Sequence, residues 1–164
     1  MSSLNISLNK KQGNYILKVD YVVTTDNKQT WEILATDAGF TKWFPQLHIE
    51  ETDSKLTLVF EMDDFREEMK ILEYQENKKI AYSWGEDKVT FVLEEVNNGI
   101  KVNFEEIIPE SYSTEYSDAK KDMTGWLVQN HYLNELMGNG NFVEKEELKE
   151  FYEGKINEFI GGVE

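Results

Sequence analysis

The sequence predicts an α+β domain in which an antiparallel meander is covered by a long helix, and three observations predict it. Between Lys55 and Ile108, short alternating runs are separated by polar pairs that read as turns: Asp63-Asp64, Asn77-Lys78, Glu86-Asp87 and Asn98-Gly99. Strands and helices do not alternate along the chain, which disfavours a parallel sheet. A helical stretch from about Asp118 to Met137 carries Met123, Trp126, Leu127, Leu133 and Met137 on one broad stripe, enough to cover an apolar face.

Counting from those turns gives cross-strand partners. Met62 faces Phe65, Phe60 faces Glu67, Leu58 faces Met69 and Leu56 faces Ile71. Ile71 then faces Trp84, Tyr82 faces Phe91 and Leu93 faces Phe104. Direct partners lie on one face of an antiparallel pair. A one-residue slip would turn a strand's apolar set to the other side, and on this count no strand flips.

The remaining elements follow in order. Residues 13–24 alternate so that Tyr15, Leu17, Val19, Tyr21 and Val23 share a face, as a half-buried strand requires. Asp26 with Gln29 forms a capping box that opens a helix carrying Trp31, Ile33, Leu34 and Ala35. Thr36-Asp37-Ala38-Gly39 interrupts it. A second short helix carries Phe40, Trp43 and Phe44, and Pro45 stops it. A strand near Leu47 to Asp53 precedes the meander, which Pro109 ends. A polar connection, Glu110 to Ser117, leads to the long helix. Gly138-Asn139-Gly140 closes that helix with residues that accept a left-handed backbone. Asn141 with Glu144 opens a last helix, about 142–160, with Leu148, Phe151, Tyr152, Ile156, Phe159 and Ile160 on one side, and Gly161-Gly162 ends it.

A chain of 164 residues suits a single domain, 1–164, with its core in 13–138. Folding at this length buries roughly 70% of the unfolded surface. The absence of Cys excludes disulfides and thiolate chemistry. No basic leader and no long apolar run is present, so the expectation is a cytoplasmic protein with no membrane contact. The net charge is −15, from 17 basic and 32 acidic residues, and Arg66 is the only arginine. Such a surface repels phosphate backbones and anionic lipid, so nucleic acid is not an expected partner.

The broken helix with Trp31 and Trp43-Phe44-Pro45, the meander, and Gly125-Trp126-Leu127 followed by Leu133 and Leu136 resemble a known layout. It is that of the activator of heat-shock-protein-90 ATPase homologue-like branch of the START/SRPBCC superfamily, over roughly residues 13–138. The resemblance implies a helix-grip fold: a seven-stranded curved sheet around a long C-terminal helix, here with one extra helix. It implies a cavity for small apolar or amphipathic molecules, no common catalytic residues and no required metal or cofactor. The separate N-terminal domain of eukaryotic co-chaperones of this kind does not appear in the sequence.

The expected lining of that cavity is Phe60, Met69, Tyr82, Trp84, Phe91, Phe104, Trp126 and Asn130, with Glu106 as a polar anchor whose pKa burial raises. The competing expectation is that the long helix fills the face. Glu67, Glu73, Glu95 and Glu106 share the apolar parity. The count puts Glu73 and Glu106 in one rung, roughly 14 Å apart across three strand spacings, too far for a carboxylate pair. His131 and Glu135, spaced i, i+4, read as a partly exposed helix pair. His48 stands alone, which makes a transition-metal site improbable. The reading is a non-enzymatic carrier of a small apolar molecule. The alternatives are a cyclase or hydrolase using the same cavity, and a protein-interaction module. Helix 142–160 packs on its own body or forms a homodimer contact.

Overall fold

A computed structural model describes residues 4–139 and 143–163. Eight strands form one antiparallel sheet: β1 (Asn5–Lys11), β2 (Asn14–Val23), β3 (Leu47–Thr52), β4 (Lys55–Met62), β5 (Phe65–Gln75), β6 (Lys79–Trp84), β7 (Asp87–Val96) and β8 (Gly99–Pro109). Their order across the sheet is β1-β2-β8-β7-β6-β5-β4-β3. Helices α1 (Asn27–Ala35) and α2 (Asp37–Trp43) follow β2, α3 (Ala119–Asn134) follows the sheet, and α4 (Lys145–Val163) is appended. This is the helix-grip architecture with one strand more than expected. The added strand, β1, pairs with β2 through a turn at Gln12-Gly13. It is a polar edge strand with only Ile6 and Leu8 alternating, a weak periodic signal.

The parity of the meander survives only through a compensated error. Gln75 pairs with Lys79, so the turn is Glu76-Asn77-Lys78, three residues rather than two. That extra residue flips the strand end: Tyr74 pairs with Ile80 and Glu73 with Ala81. A bulge at Leu72 flips it back, and Ile71 pairs with Tyr82, not Trp84. Tyr74 therefore occupies the inner face, with its ring edge-on to Trp31 at 5.3 Å and its hydroxyl donating to the Ala35 carbonyl at 3.3 Å. Glu73 is turned away and pairs with Lys79 at 3.1 Å. Leu72, the inserted residue, is 52% exposed.

Two other turns each move by one residue, which shifts the pairing register by two, preserves the face and changes the partners. Trp84 pairs with Asp87 around Gly85-Glu86, so Tyr82 faces Val89 rather than Phe91. Val96 pairs with Gly99, so Leu93 faces Val102 and Phe104 faces Phe91. Gly99 serves a close approach rather than the turn, because a Cβ there would lie 2.1 Å from the Val23 carbonyl oxygen. The rung of Glu106 is thus Leu17, Glu106, Val89, Tyr82 and Ile71, without Glu73.

α1 begins at the expected capping box of Asp26 and Gln29. α2 crosses it so closely that a Cβ on Gly39 would sit 2.0 Å from the Glu32 carbonyl oxygen. The Trp43 indole donates to the Ile33 carbonyl at 2.7 Å and ties the pair. α3 starts on Asp118, whose side chain accepts from Lys121 N–H. It ends in a π-helical turn, Glu135–Asn139. Thr24 N–H donates to the Met137 carbonyl at 3.1 Å. Gly138 has an extended φ of 167°, not a left-handed one, and is small because Thr24 lies against it. Gly140 and Asn141 lie outside the described residues, and the last helix begins at Lys145 rather than at about 142.

α4 packs on α3 and β1 and buries Leu148, Tyr152, Ile156 and Ile160. It continues past Gly161-Gly162 to Val163. Its docking also covers the pair expected at the surface. His131 and Glu135 are both buried, with His131 Nε2 2.7 Å from Glu135 Oε1 and Nδ1 2.6 Å from the Tyr152 hydroxyl. The carboxylate only accepts, which places the imidazole proton on Nε2 and leaves Nδ1 to accept from Tyr152 when the ring is neutral. Among the described residues no helix is long and apolar enough to cross a membrane.

Candidate functional site: an aromatic cavity backed by carboxylates

The centre of the sheet's inner face is filled. Trp126, projecting from α3, meets Trp84 at 5.1 Å, Phe104 at 5.3 Å, Phe91 at 6.2 Å, Phe44 at 6.3 Å and Tyr82 at 6.4 Å between ring centroids. Tyr82, Phe91 and Phe104 are buried in this cluster and do not line the apolar cavity described below. Asn130 is buried too, and protein groups hold both ends of its amide. Its oxygen accepts from Tyr21 at 2.7 Å and its nitrogen donates to the Trp126 carbonyl at 2.9 Å.

Space remains toward one end. A cavity of about 630 Å³ opens between β4, β5, β6 and the connection that precedes α3. Phe60, Met69 and Trp84, three of the expected residues, line it. Met62 and Phe65, flanking the β4–β5 turn, add apolar wall and stay 51% and 54% exposed. The other side comes from Tyr112, Thr114, Tyr116 and Ser117. Sequence reasoning missed these because a connection has no periodicity; two tyrosines in a polar loop were the available signal. A smaller cleft of about 160 Å³ shares Trp84 and Ser117 with the cavity and adds Phe44, Trp126, Lys121 and Asp122.

Glu106, expected as the cavity's polar anchor, is fully buried on the inner face but is not among the residues that line the cavity, and it is not isolated. Asp87 at the start of β7 and Asp122 on α3 bring carboxylate oxygens that all lie within 4.8 Å of one another and of Glu106. The spacing that argued against a carboxylate pair compared Glu106 with Glu73, which is not in its rung, and so missed the partners that matter. The two-residue shift moves Asp87 from the turn onto the inner face, and Asp122, one turn before Trp126, comes from the covering helix. No hydrogen-bond donor among the described residues meets either oxygen of Asp87 or Glu106. Burial, then the neighbouring carboxylates Asp122 and Asp87, hold Glu106 well above the usual carboxylate range. Burial also raises Asp87, to about 8. Such a group offers a proton or oxygen ligands for a hard cation. The charge also reaches the cavity. The Tyr112 hydroxyl is pushed up by burial, then by Asp122, Asp87 and Glu67. A Cβ on Gly85 would lie 3.4 Å from that hydroxyl, which puts Tyr112 against the β6–β7 turn.

A second acidic group lies on the outside. His48 is not alone: its Nε2 is 2.8 Å from Glu50 and 3.9 Å from Glu61. Arg66 pairs with both glutamates and holds Glu50 down to about 2. The charge of this group is met by Arg66, and its exposure makes the network weak.

Comparison with known proteins agrees with the fold. Protein EF2215 of Enterococcus faecalis, described as conserved and of unknown function, is 20% identical with a TM-score of 0.77, over 94% of this chain and 92% of its own. CalU16 of Micromonospora echinospora is 9% identical with a TM-score of 0.69, over 97% and 98%. The Aha1 dimer of Colwellia psychrerythraea is 18% identical with a TM-score of 0.58, over 77% and 98%. No curated protein matches the sequence. The family profile described as "Activator of Hsp90 ATPase homolog 1-like protein" matches residues 24–138, and the chain belongs to that family.

Proposed function

We propose that this domain binds a small apolar or amphipathic molecule in the cavity between β4–β6 and the 110–117 connection, as a carrier rather than an enzyme. The cavity itself carries this reading. Its volume lies within the roughly 300–1,000 Å³ common for ligand sites, and its walls are mostly aromatic rings and methionines. Phe60, Met69 and Trp84 form the inner wall, and Phe65, Met62 and Tyr116 form an accessible mouth. Decanol titrated against tryptophan fluorescence, with Trp84 in the wall, gives saturable binding. Phe65→Glu, at an exposed position, weakens it by roughly tenfold with no change in the unfolding midpoint. Absence of saturation, or an unchanged affinity in Phe65→Glu, contradicts the reading.

The carboxylate group favours a second reading, an enzyme acting on an apolar substrate in the same cavity, because burial that raises a carboxyl pKa suits the group to general-acid work. His131 lends that reading no support, since it is enclosed between Glu135 and Tyr152. Mass spectrometry of the probe after incubation separates the two: a carrier returns it unchanged. Among the described residues of segment 142–160, little apolar surface is left for a homodimer contact. α4 lays its apolar side on its own body and leaves an acidic outer face with Phe151.

A further inference from the structure

Resting on the binding reading above, we propose that the cavity selects cationic amphiphiles: a protonated amine or quaternary ammonium group carried on an apolar tail. The charge of the walls is one-sided. Among the described residues, Glu67 is the only charged one that lines the cavity, and no Lys, Arg or His does. The ring faces of Phe60, Phe65, Trp84, Tyr112 and Tyr116 suit the same ligand, because an aromatic face attracts a cation by about 0.5–2 kcal/mol, the larger value when water is excluded.

The surroundings act in the same direction. Asp87, Glu106 and Asp122 form no ion pair among the described residues, and they stand behind the Tyr112 end of the cavity; burial and mutual repulsion disfavour ionisation of Glu106 and Asp87, and an approaching cation relieves that repulsion and draws their charge out. The ammonium head group belongs at that end, between Glu67 and Tyr112, with the tail running toward Phe60 and Met69. A carboxylate head group would meet the Glu67 carboxylate there, would hold the buried acidic group neutral rather than gain from it, and its desolvation would find no compensating cation. The net charge of −15 adds a long-range preference of the same sign, which salt screens. Lys121 lines the neighbouring cleft beside Asp122 rather than the cavity.

Three probes of equal tail length test this: decylammonium, decanol and decanoate, each below its micellar concentration, at neutral pH and low ionic strength. Decylammonium binds at least about tenfold tighter than decanoate, with decanol between them. The double variant Glu67→Gln/Asp122→Asn lowers the ammonium-to-carboxylate ratio by roughly fivefold or more, and Glu67→Gln alone, at an exposed position, lowers it in the same direction. Glu150→Gln/Glu153→Gln removes the same two charges from the outer side of α4 and leaves the ratio unchanged. The inference is overturned by equal or tighter binding of decanoate. It is also overturned if the α4 variant lowers the ratio as much as the cavity variant, since a general field then suffices. Failure of all three probes, decanol included, contradicts the binding reading itself.

Discussion

Trp126→Ala destabilises the domain by about 3–5 kcal/mol, the range for removing a large aromatic side chain from a packed core. Trp126 is the one ring that touches Phe44, Tyr82, Trp84, Phe91 and Phe104 together, and it joins α3 to both halves of the sheet. The space it leaves is continuous with the walls of the cavity, because Trp84 belongs to both. The variant therefore gains affinity for probes bulkier than decanol while it loses stability. Urea unfolding followed by circular dichroism measures the first effect. A loss below about 1 kcal/mol contradicts the view that Trp126 fills the inner face.

Glu106→Gln makes the protein more stable at pH 8 than the parent, and the gain shrinks toward pH 5. The sign follows from linkage. Both Glu106 and Asp87 have folded pKa values raised above their ordinary ones. A raised carboxyl binds its proton more tightly when folded, so it does not oppose folding below the unfolded value near 4. Its cost grows as pH rises and is complete above the folded value, about 8 for Asp87. Each proton so retained gives a slope of about 1.4 kcal/mol per pH unit inside that window. The amide of Gln keeps the shape, stays neutral and removes one member of the group. Urea midpoints of parent and variant at several pH values between 5 and 8 measure the difference. Parallel profiles, with no widening toward pH 8, contradict a proton-holding carboxylate group.

What the sequence conveyed well was local and periodic. The alternation of Tyr15, Leu17, Val19, Tyr21 and Val23, the cap at Asp26 and the stripe on α3 all depend on neighbours a few residues apart. Turn length was the weak point, because polar residues on either side of a turn look alike. Shifts of two at Gly85-Glu86 and Asn97-Asn98 left the apolar face intact and so were invisible to parity. One of them nonetheless moved Asp87 beside Glu106. The three-residue turn at Glu76 and the bulge at Leu72 cancel each other, and Leu72-Glu73-Tyr74 offers an apolar residue in either register. The placement of Asp122 could have been found: it lies four residues before Trp126, on the face that covers the sheet.

Non-local packing escaped altogether. Whether Trp126 roofs a cavity or fills it depends on side-chain volumes summed over four elements. The burial of His131 depends on α4, a helix whose docking no local signal specifies. The cavity itself is displaced from the expected centre toward the connection that precedes α3, where Tyr112 and Tyr116 supply walls that only the tertiary fold defines.

The most direct test of a ligand cavity at this end of the sheet uses the methionines as reporters. Met62 and Met69 line it, whereas Met123 and Met137 are buried elsewhere in the core. With methyl-13C methionine and a titration of decanol followed by NMR, the Met62 and Met69 methyl signals move and saturate together, while those of Met123 and Met137 stay in place. Methyl shifts confined to Met123 and Met137, or no saturable shift at any methionine, contradict the account.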